Sequence, residues 1–322
     1  MQTTHQTKQL GYTDMSLTPI GFGSWALGGG EWIGGWGSQD DQASVATIHK
    51  ALDLGINWID TAAVYGLGHS EEVVARALKG VTNKPYVFTK CSTVWNEKRE
   101  VGQSLKADSL RKEVENSLRR LQTDVIDLYQ IHWPNPDPDI EEGWSTLARF
   151  KEEGKVRYIG VSNFSVEQMQ RAQKIAPISS LQPPYSLINH NIEKDILPYC
   201  LEQNIGVIVY SPMQSGLLTG AMVPERVKSL PQDDWRRSNS EFNEPRITRN
   251  LKLVNLLSEI GKQHDVSPGV VAIAWTLRQP AVTAAIVGGR HPDQVERNIN
   301  AIDFRLNQDE IQRIETFLRD NP

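Results

Sequence analysis

Four residues in the first half of the chain have types and spacing suited to proton chemistry: Asp60, Tyr65, Lys90 and His132. Three of them close short runs rich in β-branched and aromatic residues, NWIDTA from Asn57, YVFTKCS from Tyr86 and VIDLYQIH from Val125. Side chains alternate along a strand, so Asp60, Lys90 and His132 can face one mouth, with Tyr65 carried over it by the loop DTAAVYG. A free phenol, with a pKa of about 10, gives up its proton reluctantly at neutral pH. An ammonium beside it favours phenolate and is expected to lower that value. An aspartate would keep the lysine charged and in place, and a histidine across the site would bond a substrate oxygen. The set suits protonation of a carbonyl oxygen as negative charge develops there, with a hydride arriving from another source. Singly, each residue has a plainer reading as packing, cap or solvated charge. Their coincidence at three consecutive strand ends carries the chemical one.

These residues need a frame that gathers strand ends. The same alternation of strand-like and helical runs continues along the chain. Further strands are read at IGFGSWAL (from Ile20), VRYIGVSN (Val156), SSLQPPY (Ser179), GVIVYSP (Gly206) and TAAIVGG (Thr283). Between them lie amphipathic stretches such as Leu110, Val114, Leu118 and Leu121, spaced at the helical period. Gly55, Gly80 and Gly154 stand where a left-handed residue would release each helix into the next strand. Ser165 with Gln168 reads as a capping box, and Ser267-Pro268 as an N-cap with proline in the first turn. Eight such units fit a doubly wound sheet or a (β/α)8 TIM barrel. The barrel is favoured because composition does not shift along the chain and the chemical residues cluster at C-terminal strand ends. We therefore expect one α/β barrel domain over residues 1–322. A short N-terminal hairpin is expected from Leu10, and a long loop after strand seven, residues 213–249, is expected to act as a lid.

Composition narrows the functions. With 34 basic against 39 acidic residues the formal net charge is −5, giving no electrostatic reason to expect nucleic acid or an anionic membrane as partner. Cys91 and Cys200 are far apart and outside any ligand spacing, so neither a disulfide nor a metal site is expected. No apolar run approaches the ~18 residues of a membrane span, and the polar start lacks a signal-like segment. A cytoplasmic location is the expectation. Gly21-Phe-Gly23-Ser-Trp-Ala26 matches a dinucleotide fingerprint, but that motif needs a helix opening directly after its glycines. More glycines follow instead, so the stretch is read as barrel strand one.

The stretches DTAAVYG, TKCS, DLYQIHWP, GVSNFS, LQPPYSL, YSPMQSGLLTG and GGRHPDQVERN, in that order, resemble the signatures of the aldo-keto reductase superfamily. The blend is most like its bacterial general-stress-type and potassium-channel β-subunit-like branches. The resemblance implies a barrel that binds NADPH without a Rossmann domain, and a catalytic tetrad Asp60, Tyr65, Lys90 and His132 with Tyr65 as general acid. It implies that Ser162, Asn163 and Gln182 hold the nicotinamide carboxamide and that Tyr210 stacks on the ring, with Trp25 and Asp60 completing that end. Ser211, Pro212, Met213, Gln214, Gly216, Leu218 and Gly220 would wrap the pyrophosphate, and Gly288, Arg290, Gln294 and Asn298 the adenosine. Independently, GGR leading into a helix offers backbone N–H groups to a phosphate, and the planar fork of Arg290 suits a 2′-phosphate.

The function expected is NADPH-dependent reduction of aldehydes and ketones, with small reactive aldehydes or dicarbonyls such as methylglyoxal as substrates, by a monomer or weak homo-oligomer. The alternative is an NADPH-sensing regulatory subunit on the same scaffold. The segment GGGEWIGGWG, Gly28 to Gly37, follows strand one and so lies at the mouth. Trp32 and Trp36 are expected to wall the substrate pocket together with Tyr65, His132 and Trp133; packing beneath the loop is the other reading of the two tryptophans.

Overall fold

The computed structural model describes residues 5–30, 32–232 and 234–321. Met1–Thr4, Glu31 in the glycine- and tryptophan-rich segment, Asp233 in the long loop and Pro322 lie outside the described residues. Eight strands, β1 (Ile20–Gly23), β2 (Trp58–Asp60), β3 (Tyr86–Cys91), β4 (Ile126–Ile131), β5 (Val156–Ser162), β6 (Ser180–Gln182), β7 (Gly206–Val209) and β8 (Val282–Gly288), close into a barrel in sequence order. Every neighbouring pair is parallel, and β8 returns to β1 through Ala285↔Ile20 to Gly288↔Gly23. The doubly wound alternative is thereby excluded.

The local signals act as their chemistry requires. Gly55, Gly80 and Gly154 hold φ of 87°, 80° and 74°. Ser165 and Gln168 form the reciprocal cap of helix Val166–Gln173. The Ser267 hydroxyl accepts from the N–H of Val270 at the start of helix Pro268–Leu277. Helix Ala107–Leu121 turns Leu110, Val114 and Leu121 into the core, with Leu118 partly covered beside them.

Inside the barrel, Trp58, Phe88, Leu128, Ile208, Ala284 and Ile286 fill the bore, and Leu10, Met15 and Leu17 of the N-terminal hairpin cork its lower end. That hairpin pairs Lys8–Gln9 with Ser16–Leu17, slightly earlier than the sequence suggested. Strand alternation then matters for the site. Two residues beyond Trp58, Phe88 and Leu128 come Asp60, Lys90 and Gln130, which face the same bore one layer higher.

Three features differ from expectation. Strand one ends at Gly23 and the chain turns into the 3-10 turn Trp25–Gly28, while the N–H and Oγ of Ser24 still donate to Asp60 O, at 2.9 and 3.1 Å. The loop after β7 is built of short pieces, 3-10 turns at Leu217–Thr219, Trp235–Arg237 and Ser240–Phe242 and a helix at Pro224–Ser229. They share a small core of Leu217, Met222, Val227, Phe242 and Ile247. An antiparallel pair, Thr93–Trp95 with Val101–Gln103, follows β3 without having been foreseen. Among the described residues no helix is long and apolar enough to cross a membrane.

The glycines of the false fingerprint have a packing cause. A Cβ on Gly21 would lie 2.0 Å from the Trp58 ring, whose Nε1 is fixed to Thr18 O at 3.0 Å. Overpacking of this kind costs about 1–3 kcal/mol. We expect Gly21→Ala to lower the urea-unfolding free energy by at least that amount; unchanged stability would show that the Trp58 ring can retreat.

Candidate active site

Lys90 is fully buried at the mouth, and its ammonium has three oxygens around it: Asp60 Oδ1 at 2.6 Å, Thr61 O at 2.9 Å and the Tyr65 hydroxyl at 3.5 Å. The second carboxylate oxygen of Asp60 accepts from Gln182 Nε2 at 2.8 Å, so the carboxylate cannot rotate freely. The His132 ring meets that of Tyr65 edge-on, with centroids 5.9 Å apart. All four residues singled out from sequence therefore converge on one spot.

Their electrostatics correct one expectation. Tyr65 is not acidified: burial first, and then the charge of Asp60, push its phenol well above the usual tyrosine range. The Lys90 charge is already matched by Asp60, so little of it is left to stabilise a phenolate. Tyr65 consequently stays a neutral hydroxyl, which is the form that can donate. Burial pushes the Asp60 carboxyl up and the Lys90 ammonium down, while their mutual attraction opposes both shifts. His132 is held well below its ordinary value by burial and by Lys90, so its imidazole is neutral at physiological pH.

Beside these groups, the ends of β5, β6 and β7 form a connected polar ledge. Ser162 Oγ donates to Gln182 O at 2.7 Å, Asn163 Nδ2 donates to Ser162 Oγ and to His132 O, and the Tyr210 hydroxyl donates to Asn163 Oδ1 at 2.8 Å. Past Tyr210 the chain enters left-handed backbone at Ser211, Gln214, Ser215, Gly216 and Gly220, with φ of 57°, 46°, 52°, 91° and 82°. Non-glycine residues held there cost of order 1 kcal/mol each, and such turns gather N–H groups into anion-binding concavities. Pro212 and Leu218 are buried, Leu218 within the main core, and Met213 packs against that core. At the far end Gly288 is exposed as the last residue of β8, Gln294 Oε1 accepts from the N–H of Arg290 at 2.7 Å, and Asn298 is buried beside Gly269. The Arg290 fork is already occupied: it donates to Gln39 Oε1, Trp36 O and Ser38 O.

The tryptophans of the first loop divide. Trp32 leans on the Tyr65 ring, centroids 6.1 Å apart. Trp36 instead packs edge-on against Trp25 (5.3 Å) and Trp235 (6.0 Å), with the Arg236 guanidinium 4.5 Å from its ring centroid. Trp25 is the hub, stacked on Tyr65 at 6.2 Å on one side and on Trp235 at 5.9 Å on the other. Trp133 stands exposed at the rim, stacked on His132. The main chain of the first loop also rests directly on the turn that carries Tyr65, since a Cβ on Gly28 would come within 2.6 Å of Gly66 N. Sequence reasoning missed Trp235, Arg236 and its buried partner Asp234. Their one signal was a Trp-Arg-Arg run inside a loop already suspected of being a lid. It also missed Glu113, whose carboxylate accepts the Ser92 N–H at 2.9 Å and which burial pushes up to about 7. Ser92 in turn bonds both main-chain polar groups of Trp133.

Comparison with known proteins matches residues 19–319 to the Aldo/keto reductase family. The chain is 39% identical to Aldo-keto reductase YhdN of Bacillus subtilis over 95% of this chain and 91% of that one. It is 33% identical to the NADH-specific methylglyoxal reductase of Escherichia coli over 92% and 93%. Among solved structures, the glycerol dehydrogenase AKR11B4 from Gluconobacter oxydans aligns with a TM-score of 0.89 at 40% identity over 98% and 96% of the two chains. The aldo-keto reductase AKR11C1 from Bacillus halodurans aligns with a TM-score of 0.81 at 27% identity, over the same shares. With a match along nearly its whole length and a barrel of the same form, the chain belongs to the aldo/keto reductase family, whose members are oxidoreductases acting on carbonyl and alcohol groups.

Proposed function

We propose that the protein reduces small aldehydes and dicarbonyls to alcohols with NADPH, Tyr65 being the general acid. The observation that carries this reading is the convergence of Lys90, Asp60, Tyr65 and His132 at one point of the barrel mouth, with the phenol kept protonated. A nicotinamide cofactor fits the donor set beside them. The amide-bearing ledge of Ser162, Asn163 and Gln182 is polar and pre-tied, the Tyr210 ring is fixed by its hydroxyl, and a run of left-handed backbone follows. When bound there, the dihydronicotinamide supplies a hydride to the carbonyl carbon. The chain's own residues manage the proton and the charge. Tyr65 donates its hydroxyl proton to the carbonyl oxygen as that oxygen becomes an alkoxide, completing the alcohol. Lys90, whose ammonium donates to the Tyr65 hydroxyl at 3.5 Å, orients that hydroxyl and is the nearest cation from which its proton can be replaced. Asp60, braced by Gln182, holds Lys90 in position, and the neutral His132 ring offers a hydrogen bond to the substrate oxygen.

The reductase that shares 33% identity with this chain is named for methylglyoxal, and a small dicarbonyl suits a site where Trp25 and Trp32 pack on Tyr65 and Trp133 on His132. That relative is also named NADH-specific, so Arg290 is the main support for NADPH here. The named relatives are reductases and dehydrogenases, which favours the enzyme over the regulatory subunit.

Three outcomes test the reading. Tyr65→Phe should lower kcat for methylglyoxal by roughly 10²–10⁴-fold while tryptophan-fluorescence titration gives an unchanged NADPH affinity; near-normal turnover would remove Tyr65 from the role. Arg290→Ala should cut the NADPH-to-NADH affinity ratio by roughly 10–100-fold, and an unaltered ratio would end the assignment of a 2′-phosphate to that arginine. For His132, the folded pKa lies below the ordinary 6.5, so between the two values the unfolded chain binds the extra proton. Stability from this group therefore rises with pH through that window and is lost on acidification. The ring should show no NMR titration near pH 6.5 in the folded protein, and an imidazole that titrates there would contradict its neutral role.

A further inference from the structure

We propose that Gln39 sets how strongly this enzyme prefers a 2′-phosphorylated cofactor, by competing with the phosphate for Arg290. The inference rests on the reading of Arg290 as the 2′-phosphate anchor. Gln39 grips residue 290 at two points: its Oε1 accepts from Arg290 Nε at 2.6 Å, and its Nε2 donates back to Arg290 O at 3.0 Å. The same Nε2 donates to Ser44 Oγ at 3.1 Å, which ties the amide to the start of helix Asp41–Asp53. The other guanidinium nitrogens donate to Trp36 O at 3.1 Å and to Ser38 O. The Nε–Nη2 edge, one of those through which an arginine takes a phosphate with two parallel bonds, is thus spent on two neutral acceptors.

The two possible cofactors meet this clamp differently. A 2′-phosphate is a dianion, and its charge-assisted bonds are roughly twice as strong as neutral ones, so it can displace Gln39 and Ser38 but must give up part of its gain to do so. A 2′-hydroxyl carries no charge to offset that loss and leaves the clamp closed. The clamp therefore lowers affinity for the 2′-phosphorylated cofactor alone. Among the described residues its acceptors are two main-chain carbonyls, which substitution cannot remove, and the Gln39 side chain, so Gln39 is the place where preference can be tuned. Arg290 is half-buried, and burial followed by the like charge of Arg236 weakens its hold on its proton, an effect that the carboxylate of Asp234 opposes.

The test measures binding to the cofactor-free protein rather than turnover. NADPH and NADH are titrated by tryptophan fluorescence, and adenosine 2′-monophosphate and adenosine 5′-monophosphate by calorimetry, against wild type, Gln39→Ala, Gln39→Glu and Arg290→Ala. Gln39→Ala should tighten NADPH and adenosine 2′-monophosphate by about fivefold, the worth of one neutral hydrogen bond, with NADH unchanged. Gln39→Glu, which keeps the bond and adds a charge, should weaken the two 2′-phosphorylated ligands, NADPH and adenosine 2′-monophosphate. If Gln39→Ala leaves the NADPH-to-NADH ratio at its wild-type value while Arg290→Ala lowers it, the competition is refuted and the role of Arg290 stands. If Arg290→Ala leaves the ratio unmoved, both fall. Should Gln39→Ala not fold, Gln39→Glu decides alone, and an undiminished ratio overturns the proposal.

Discussion

A lysine ammonium without exposed surface sits at the mouth of the barrel, 2.6 Å from an aspartate. Taking both charges out of water costs several kcal/mol per ion after relaxation, so the pair persists only with good geometry and further hydrogen bonds. Those come from Thr61 O and Gln182 Nε2, and through Gln182 the constraint passes to Ser162 and Asn163. Strands β2, β3, β5 and β6 must therefore end at matching heights. Barrel closure meets that demand, because parallel register around a closed sheet leaves no free edge along which one strand can slip. The same arrangement keeps Tyr65 neutral: Asp60 has already matched the lysine's charge, so the phenol meets burial with little to favour its ionised form.

The rim above this pair is made by two long connections, one after β1 and one after β7. They are joined by aromatic faces, with Trp25 stacked between Tyr65 and Trp235 and with Trp36 wedged edge-on against Trp25 and Trp235. Trp36 Nε1 and Trp235 Nε1 are buried there without a hydrogen-bond partner among the described residues. Because the same first loop also binds Arg290, the substrate side and the far end of the proposed cofactor channel share one loop.

Much of the site was legible because strand geometry is local. Asp60, Lys90 and His132 follow hydrophobic runs with a period of two, and that period alone sends them to the inner face. Helix ends were legible for a similar reason, since Gly55, Gly80 and Gly154 take backbone angles that other residues adopt only with strain. Other features depended on residues remote in the chain. Gly21 is small because Trp58 needs the room, and nothing near Gly21 in sequence says so. The apparent phosphate fingerprint is in fact the imprint of a tryptophan in the bore.

The chain by itself therefore determined the eight-unit alternation, the position of each chemical group along its strand and the family signatures, all of which follow from periodicity, caps and motif order. Only the tertiary structure decided the state and partners of those groups. Lys90 does not acidify Tyr65 because Asp60 reaches it first, and Arg290 is not a free fork because Gln39, 251 residues away, already holds it. Trp32 faces Tyr65 while Trp36, four residues on, faces the other loop. Protonation and pairing are set by burial and by neighbours in space. Those neighbours come together only when the barrel closes.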